Sequence, residues 1–184
     1  MKARVNRVTI EVAHGEVLSQ PASAIVNPTD TSLRLSPEFL EKAGEAVQIA
    51  CHEIGWCNVG SAAITTAGKL PYDKIIHVVG PRWGEGGERA KLADATLRCL
   101  QLAEENSLKS LALPSVSTGV QGYPIENCAT VMLNETIDYT FEDLKHLRSV
   151  IFCLQDRRTF EVFRNEFDRI IEELKANGDG RVRA

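Results

Sequence analysis

The fold is decided by the stretch Pro114-Ser115-Val116-Ser117-Thr118-Gly119-Val120-Gln121-Gly122-Tyr123-Pro124, which joins an apolar run to a segment of helical spacing. The run before it, 110–114, is short and apolar, which predicts a buried strand. Pro124 is typical of the start of a helix, where the missing N–H of proline costs no hydrogen bond. A strand, a glycine-containing loop and a helix in this order indicate an α/β domain whose strands are covered by helices on both faces.

The composition of this loop suits an oxygen-rich anion. In an open α/β sheet, ligands bind at the carboxyl ends of the strands, where a helix N-terminus presents free amides and a partial positive charge. Gly119 and Gly122 allow the backbone to approach a ligand, and Ser117 and Thr118 add hydroxyl donors. The spacing matches neither a Gly-Lys-Ser/Thr loop nor the GxGxxG fingerprint. The stretch therefore predicts a pyrophosphate-binding loop, with a purely structural turn as the alternative.

The rest of the chain alternates between strand and helix patterns in the same way. Strands are predicted at 7–13, 24–27, 61–66, 74–79 and 149–154. Helices are predicted to begin at Ser36-Pro37, to span 88–105, to begin at Pro124, and to follow the last strand. The aromatic residues of that last helix lie at helical spacing, which favours core packing over ligand contact. We therefore expect one domain over residues 1–175 and a flexible tail over residues 176–184.

Length and composition narrow the class of protein. A chain of 184 residues with 43% hydrophobic and 25% charged residues fits one globular domain. The net charge of −4 argues against a sequence-independent nucleic-acid binder, which needs a basic face, but leaves room for a small anion held by backbone amides. Five cysteines without a CxxC pair indicate reduced thiols in the core of a cytoplasmic protein. No apolar run reaches the length of a membrane span, so we expect no membrane partner.

Other polar residues give weaker signals. His77 lies in an apolar strand and is predicted to be a hydrogen-bonded core histidine. The spacing of Cys51, His52 and Cys57 matches no zinc pattern, so neither a metal nor a cofactor is expected. Arg157 and Arg158 are predicted to lie in a solvated turn, with contact to a ligand phosphate as the alternative.

Several motifs, in the right order along the chain, resemble the macrodomain family. The stretch 117–124 is similar to the second binding loop of that family, and Gly15-Glu16-Val17 resembles its Gly-Asp-Ile. The run 24–30, Ala-Ile-Val-Asn-Pro-Thr-Asp, resembles Ile-Val-Asn-Ala-Ala-Asn, and 76–81 resembles Ile-His-x-Val-Gly-Pro. The likeness covers 8–174. It implies a three-layer α/β/α sandwich around a mixed, mostly parallel sheet of about six strands, and it implies ADP-ribose, free or attached to a protein, as the ligand.

The resemblance also implies roles for individual residues. Glu16 would meet the adenine amino group with support from the Val17 amide, because a carboxylate is purely an acceptor. Gln155 and Asp156 would lie at the adenosine end, and Asn27 and Asp30 would lie beside the first loop. The diphosphate would be held by the amides of seven consecutive residues: Ser117, Thr118, Gly119, Val120, Gln121, Gly122 and Tyr123.

Three departures from the family pattern bear on activity. The first loop, 31–37, contains no glycine and is shorter than in the family, and Asp30 stands where the hydrolytic members have asparagine. Gln121 and Gln155 stand where many relatives have rings. Since an aromatic contact is worth about 0.5–1.5 kcal/mol beyond its buried area, we expect binding weakened roughly tenfold or more. A carboxylate at position 30 would also repel a diphosphate.

The departures favour binding over catalysis. The segments 27–30 and 40–44 are similar to those of histone-variant macrodomains, for which the implied role is binding. We therefore predict an ADP-ribose-binding protein without robust turnover and without an assigned catalytic residue. Two alternatives stay open: a hydrolase or O-acetyl-ADP-ribose deacetylase with Asp30 as base, and a macrodomain fold adapted to another nucleotide or an RNA end.

Overall fold

Strands and helices alternate along the chain in the computed structural model, which describes residues 1–178 and 182–183. The strands are β1 (Lys2–Val5), β2 (Val8–His14), β3 (Ala24–Pro28), β4 (Ser61–Thr66), β5 (Lys74–Val79), β6 (Ser110–Leu113), β7 (Ser149–Leu154) and β8 (Val182–Arg183). The helices are α1 (Pro37–Ala43), α2 (Glu45–Ile54), α3 (Glu88–Glu105), α4 (Ile125–Tyr139) and α5 (Arg157–Ala176), with a 3-10 turn at Val17–Ser19.

All eight strands belong to one mixed sheet in the order β4-β5-β3-β6-β7-β2-β1-β8. The five strands β5, β3, β6, β7 and β2 run parallel, and β4, β1 and β8 pair antiparallel at the flanks. The expected number of about six strands was therefore too low by the two outer strands on one side. β1 escapes the sequence pattern because it is only four residues long and turns into β2 at Asn6, whose φ of 55° lies in the left-handed region without a glycine.

Two apolar clusters lie on opposite faces of the sheet and make the three layers. Alternating residues of β7 show the division: Val150, Phe152 and Leu154 belong to one cluster, and Ile151 and Cys153 to the other. α3, α4 and α5 cover the first face, and α1 and α2 cover the second. All five cysteines are buried and carry no disulfide, as the sequence predicted. The α/β/α sandwich is confirmed.

The helix predicted to begin at Ser36-Pro37 is in fact two helices. The Phe39 amide donates to the Ser36 hydroxyl at 3.2 Å and Pro37 occupies the first turn, as the capping pattern predicts. α1 then ends at Gly44, whose φ of 93° breaks the helix before α2 begins. Only glycine adopts this backbone conformation readily. The apolar periodicity of the sequence continues across Gly44, so it does not indicate that the helix is interrupted there.

α5 carries the aromatic stripe. Phe163 and Phe167 are fully buried, which confirms their expected place in the core. Within the described residues, no helix is both long enough and apolar enough to cross a membrane. α5 includes Ala176 and the short strand β8 pairs with β1, so these parts of the predicted flexible tail have regular structure. Residues 179–181 and 184 of that tail lie outside the described residues.

Candidate ligand-binding site

The carboxyl ends of the five parallel strands meet at one edge of the sheet, where ligands bind in open α/β folds. The segments that leave these ends surround three adjoining cavities, which we call together the cleft. The first, of about 440 Å³, is lined by Glu16, Val17, Thr118, Gly119, Gln155 and Asp156, among others. The second, of about 320 Å³, shares Glu16, Val17 and Gln155 and adds Asn27. The third, of about 420 Å³, lies between Asp30 and residues 115–121.

The loop 114–124 is held in shape by its own hydrogen bonds. The Gly122 amide donates to the Gly119 carbonyl at 3.0 Å, and the Tyr123 amide donates to the Ser117 carbonyl at 2.9 Å. The Ser117 hydroxyl donates to Oε1 of Gln121 at 2.8 Å, which stabilises Ser117 at its positive φ of 67°. Gln121 was expected to offer its amide to the diphosphate and to stand in place of a ring, and its side chain also stabilises the loop.

These bonds divide six of the seven predicted amide donors into two groups, and the seventh belongs to Ser117, which is buried. The amides of Gly122 and Tyr123 donate to carbonyls of the loop itself, and Tyr123 is buried, so these two predicted donors are already paired. Within the part of the chain that the structure describes, the amides of 118–121 have no hydrogen-bond acceptor. Adjacent unpaired amides in a turn form a concavity suited to an anion. The unpaired amides that could form such a concavity are those of Thr118–Gln121.

Residues 80–83, which follow β5, pack against this loop and stabilise it. A Cβ on Gly80 would lie 2.3 Å from Oγ of Ser117 and 2.4 Å from Cγ1 of Val116, so only glycine fits there. The Trp83 amide donates to the Gln121 carbonyl at 2.9 Å. The ring centroids of Trp83 and Tyr123 lie 5.0 Å apart in an edge-on contact, as expected of a packing residue. Even so, 46% of Trp83 is exposed. These contacts hold the loop in this conformation.

Glu16, Gln155 and Asp156 meet at the first cavity. Nε2 of Gln155 donates to Oε1 of Glu16 at 3.2 Å, so the amide that replaces a ring also orients the carboxylate. Oδ2 of Asp156 accepts from both the amide and the hydroxyl of Thr159 at 2.9 Å, which makes Asp156 the N-cap of α5. The bonds from Thr159 lower the pKa of Asp156. One oxygen of Asp156 thus has a structural role that the sequence resemblance did not predict.

The Asp30 carboxylate is turned toward its own loop. Oδ1 accepts from the amides of Ser32 and Arg34 at 3.0 and 3.2 Å, and the Thr29 hydroxyl donates to the Arg34 carbonyl at 2.7 Å. Such bonds from a carboxylate to following amides are a turn motif. They offset part of the negative charge, so the repulsion expected from the sequence is reduced.

Asn27 is oriented by a buried chain of hydrogen bonds. Its Nδ2 lies 3.2 Å from Nδ1 of His77, and Nε2 of His77 lies 2.8 Å from Oγ1 of Thr65, whose hydroxyl donates to the Thr66 carbonyl. An amide nitrogen only donates, so Nδ1 is the acceptor and Nε2 carries the proton. Burial lowers the pKa of His77 from 6.5 to about 4, which keeps the ring neutral. His77 is the core histidine predicted, and among the described residues no donor pairs with Oδ1 of Asn27, which lines the second cavity.

Sequence reasoning missed three residues that line the cleft. Phe39, in the first turn of α1, places a half-buried ring at the second cavity, and Lys42 lies one turn further with Nζ 3.4 Å from Glu38. Arg82 lines the third cavity. The capping sequence at Ser36 was the available signal for Phe39; no local pattern marks Arg82. Nε of Arg157 lies 3.2 Å from Oε1 of Glu161, and Nη2 of Arg158 lies 3.9 Å from Oε1 of Glu126. Both side chains are exposed, as expected of a solvated turn.

Comparisons with known proteins agree with this architecture. The family described as "Macro domain" matches residues 26–132. A macro domain-containing protein of Chlorobaculum tepidum is 35% identical over 86% of this chain and 95% of its own length. A protein of Pantoea vagans named O-acetyl-ADP-ribose deacetylase 1 is 35% identical over 84% of this chain and 95% of its own.

Solved structures show the same likeness in three dimensions. The Oceanobacillus iheyensis macrodomain with ADP has a TM-score of 0.88 at 28% identity, over 94% of this chain and 97% of that one. The Trypanosoma brucei macrodomain in complex with ADP-ribose has a TM-score of 0.77 at 26% identity, over 86% of this chain and 68% of that one.

Proposed function

The chain belongs to the macro domain family, and from that premise we propose that it binds ADP-ribose, free or attached to a protein. The observation that carries the proposal is the set of four amides at 118–121 that are unpaired among the described residues: all four residues line the third cavity, and Thr118 and Gly119 also line the first cavity with Glu16. The likeness to macrodomains solved with ADP and with ADP-ribose supports it.

In this proposal the diphosphate contacts the amides of Thr118–Gln121 and the Ser117 side of the loop. The adenine amino group donates to Glu16, and the Val17 amide, which has no acceptor within the described residues, completes the contact. Gln155 and Asp156 flank the adenosine, and Asn27 and Asp30 flank the first loop. Phe39 supplies an aromatic surface that partly replaces the missing rings.

We further propose that turnover is weak. General-base catalysis needs a group within reach of the proton it removes. The Asp30 carboxylate already accepts two loop amides, so it is better placed to shape the loop than to activate water. The opposing observation is that the relatives from Pantoea vagans and Klebsiella pneumoniae are both named O-acetyl-ADP-ribose deacetylase.

Turnover is tested directly with two substrates, O-acetyl-ADP-ribose and a mono-ADP-ribosylated protein. Product release is compared between the wild-type protein and Asp30→Ala. The proposal predicts rates near background in both proteins. A wild-type rate well above background that falls in Asp30→Ala would establish the deacetylase or hydrolase alternative with Asp30 as its base.

The proposed setting is the cytoplasm, because five buried thiols without disulfides suit a reducing compartment. The proposed partners are ADP-ribose and ADP-ribosylated proteins rather than nucleic acid. The likeness to histone-variant macrodomains is limited to the short segments 27–30 and 40–44, and the relatives described above are microbial.

The binding proposal is tested by calorimetric titration with ADP-ribose, alongside a thermal-shift panel of nucleotides and short RNA ends. A ligand that binds the folded protein raises its unfolding temperature, and at equal concentration the ligand that binds more tightly gives the larger shift. We expect ADP-ribose to bind in the micromolar range and to give the largest shift. No heat at millimolar ADP-ribose would refute the proposal, and a larger shift with RNA or another nucleotide would favour the adapted-fold alternative.

A further inference from the structure

Arg82 is an exposed cation that lines the third cavity, as Asp30 does. Other basic side chains near the cleft have acidic partners: Lys42 pairs with Glu38, Arg157 with Glu161 and Arg158 with Glu126. Within the described residues, the Arg82 guanidinium has no acidic partner. Its charge is therefore available to a ligand.

The backbone on both sides of Arg82 is fixed to the phosphate loop. Gly80 packs directly against Ser117, Pro81 is buried, and the Trp83 amide donates to the Gln121 carbonyl. Arg82 thus lies between two residues that are held at fixed distances from the amides of 118–121. A side chain presented in this way loses little additional freedom when it binds, apart from its own rotamers.

The chemistry of the third cavity suits a group with more than one negative charge. Four backbone amides offer neutral donors, and the Asp30 charge is partly offset by the amides of Ser32 and Arg34. A guanidinium adds a permanent positive charge and a planar pair of donors that matches two phosphate oxygens.

We propose that Arg82 is a diphosphate-binding residue, supplied from outside the glycine-containing loop, that makes the cleft select diphosphates over uncharged nucleosides. This inference rests on the proposed function. Arg82 would be a specificity determinant of that site. The backbone amides bind the anion as neutral donors, and Arg82 adds the part of the affinity that depends on the charge of the ligand.

The test compares the wild-type protein, Arg82→Gln, Arg82→Lys and the matched control Arg34→Gln, each titrated with ADP and with adenosine. Arg34 is also exposed and lies in the neighbouring loop without lining the three cavities, so its loss changes the net charge equally. Charge-assisted hydrogen bonds predict that Arg82→Gln weakens ADP about tenfold or more and leaves adenosine unchanged. Arg82→Lys should retain part of the affinity, and Arg34→Gln should change it less than about twofold.

The possible results distinguish a failure of the inference about Arg82 from a failure of the proposed binding function. Thermal unfolding of every variant at the wild-type temperature shows that the fold is intact. If wild-type protein binds ADP and Arg82→Gln binds it equally well, the inference about Arg82 is wrong and the binding function stands. Equal losses for ADP and adenosine would also overturn it. If wild-type protein binds ADP-ribose but no ADP at millimolar concentration, the inference fails and the function stands. If it binds neither, both fail.

Discussion

Gly119 allows the loop to be tested without disturbing the fold. A Cβ added there meets no atom within 4 Å, and its backbone is outside the left-handed region, so larger residues fit without strain. Gly119 nevertheless lines both the first and the third cavity. A side chain at position 119 therefore projects beside the space assigned to the diphosphate, and Gly119→Glu adds a negative charge to it.

The size of the effect follows from Coulomb's law. Two unit charges 4 Å apart in water repel by about 1 kcal/mol, so the two charges of a diphosphate give about 2 kcal/mol, or roughly 30-fold in Kd. Gly119→Gln is the matched control, since it has nearly the same size and no charge. The difference in Kd between the two variants is thus the electrostatic part of the effect.

The assay is calorimetric titration of wild-type protein, Gly119→Gln and Gly119→Glu with ADP-ribose at low salt, with thermal unfolding in parallel. We expect unchanged unfolding temperatures, a modest loss of affinity in Gly119→Gln and a further loss of roughly 30-fold in Gly119→Glu that shrinks as salt is added. Equal affinities in the Gln and Glu variants would refute the placement of the diphosphate beside 118–121.

Three further predictions concern residues that stabilise the fold around the candidate site. Gly80→Ala places a Cβ 2.3 Å from Oγ of Ser117, so the loop must shift; we expect a loss of about 1–3 kcal/mol in unfolding free energy and weaker ADP-ribose binding, and an unchanged Kd would contradict the locking role. His77 is neutral when folded, so protonation of the unfolded chain should remove up to about 3 kcal/mol as the pH falls from 6.5 to about 4, and a slope between pH 6.5 and 5 that persists in His77→Gln would contradict this. Asp156→Ala should lower the unfolding temperature by about 2–4 °C while Asp156→Asn does not, since asparagine also caps Thr159; equal losses would rule out the cap.

Much of the fold follows from local patterns. The bounds of β4, β5, α3 and β7 agree with the predicted ranges, because their apolar periods end at polar or glycine-containing turns. β1 and the break at Gly44 were missed for opposite reasons. β1 is too short to show a period and turns at an asparagine, and the helical period of α1 and α2 continues across a glycine that changes only the backbone direction.

The sequence predicts which segments come together at the candidate site, but not which of their polar groups stay free for a ligand. The positions of Glu16, Gln155 and the loop follow from strand ends that meet at one edge of a parallel sheet. Which loop amides stay free depends on the turn made by Ser117 and Gly122, and the orientation of Asp30 depends on a loop conformation that composition does not determine. Arg82 reaches the cleft because Gly80, two residues before it, packs against Ser117, so no spacing along the sequence reveals it.

The central claim is that the backbone amides of Thr118–Gln121 bind the diphosphate. The most direct measurement is an amide-resolved NMR titration with ADP-ribose, followed by hydrogen exchange of the same amides in the free and bound protein. We predict downfield shifts and slowed exchange at these four amides, with little change at Gly122 and Tyr123, which are already bonded inside the loop. Saturable binding that leaves the four amides unshifted and freely exchanging would contradict the account.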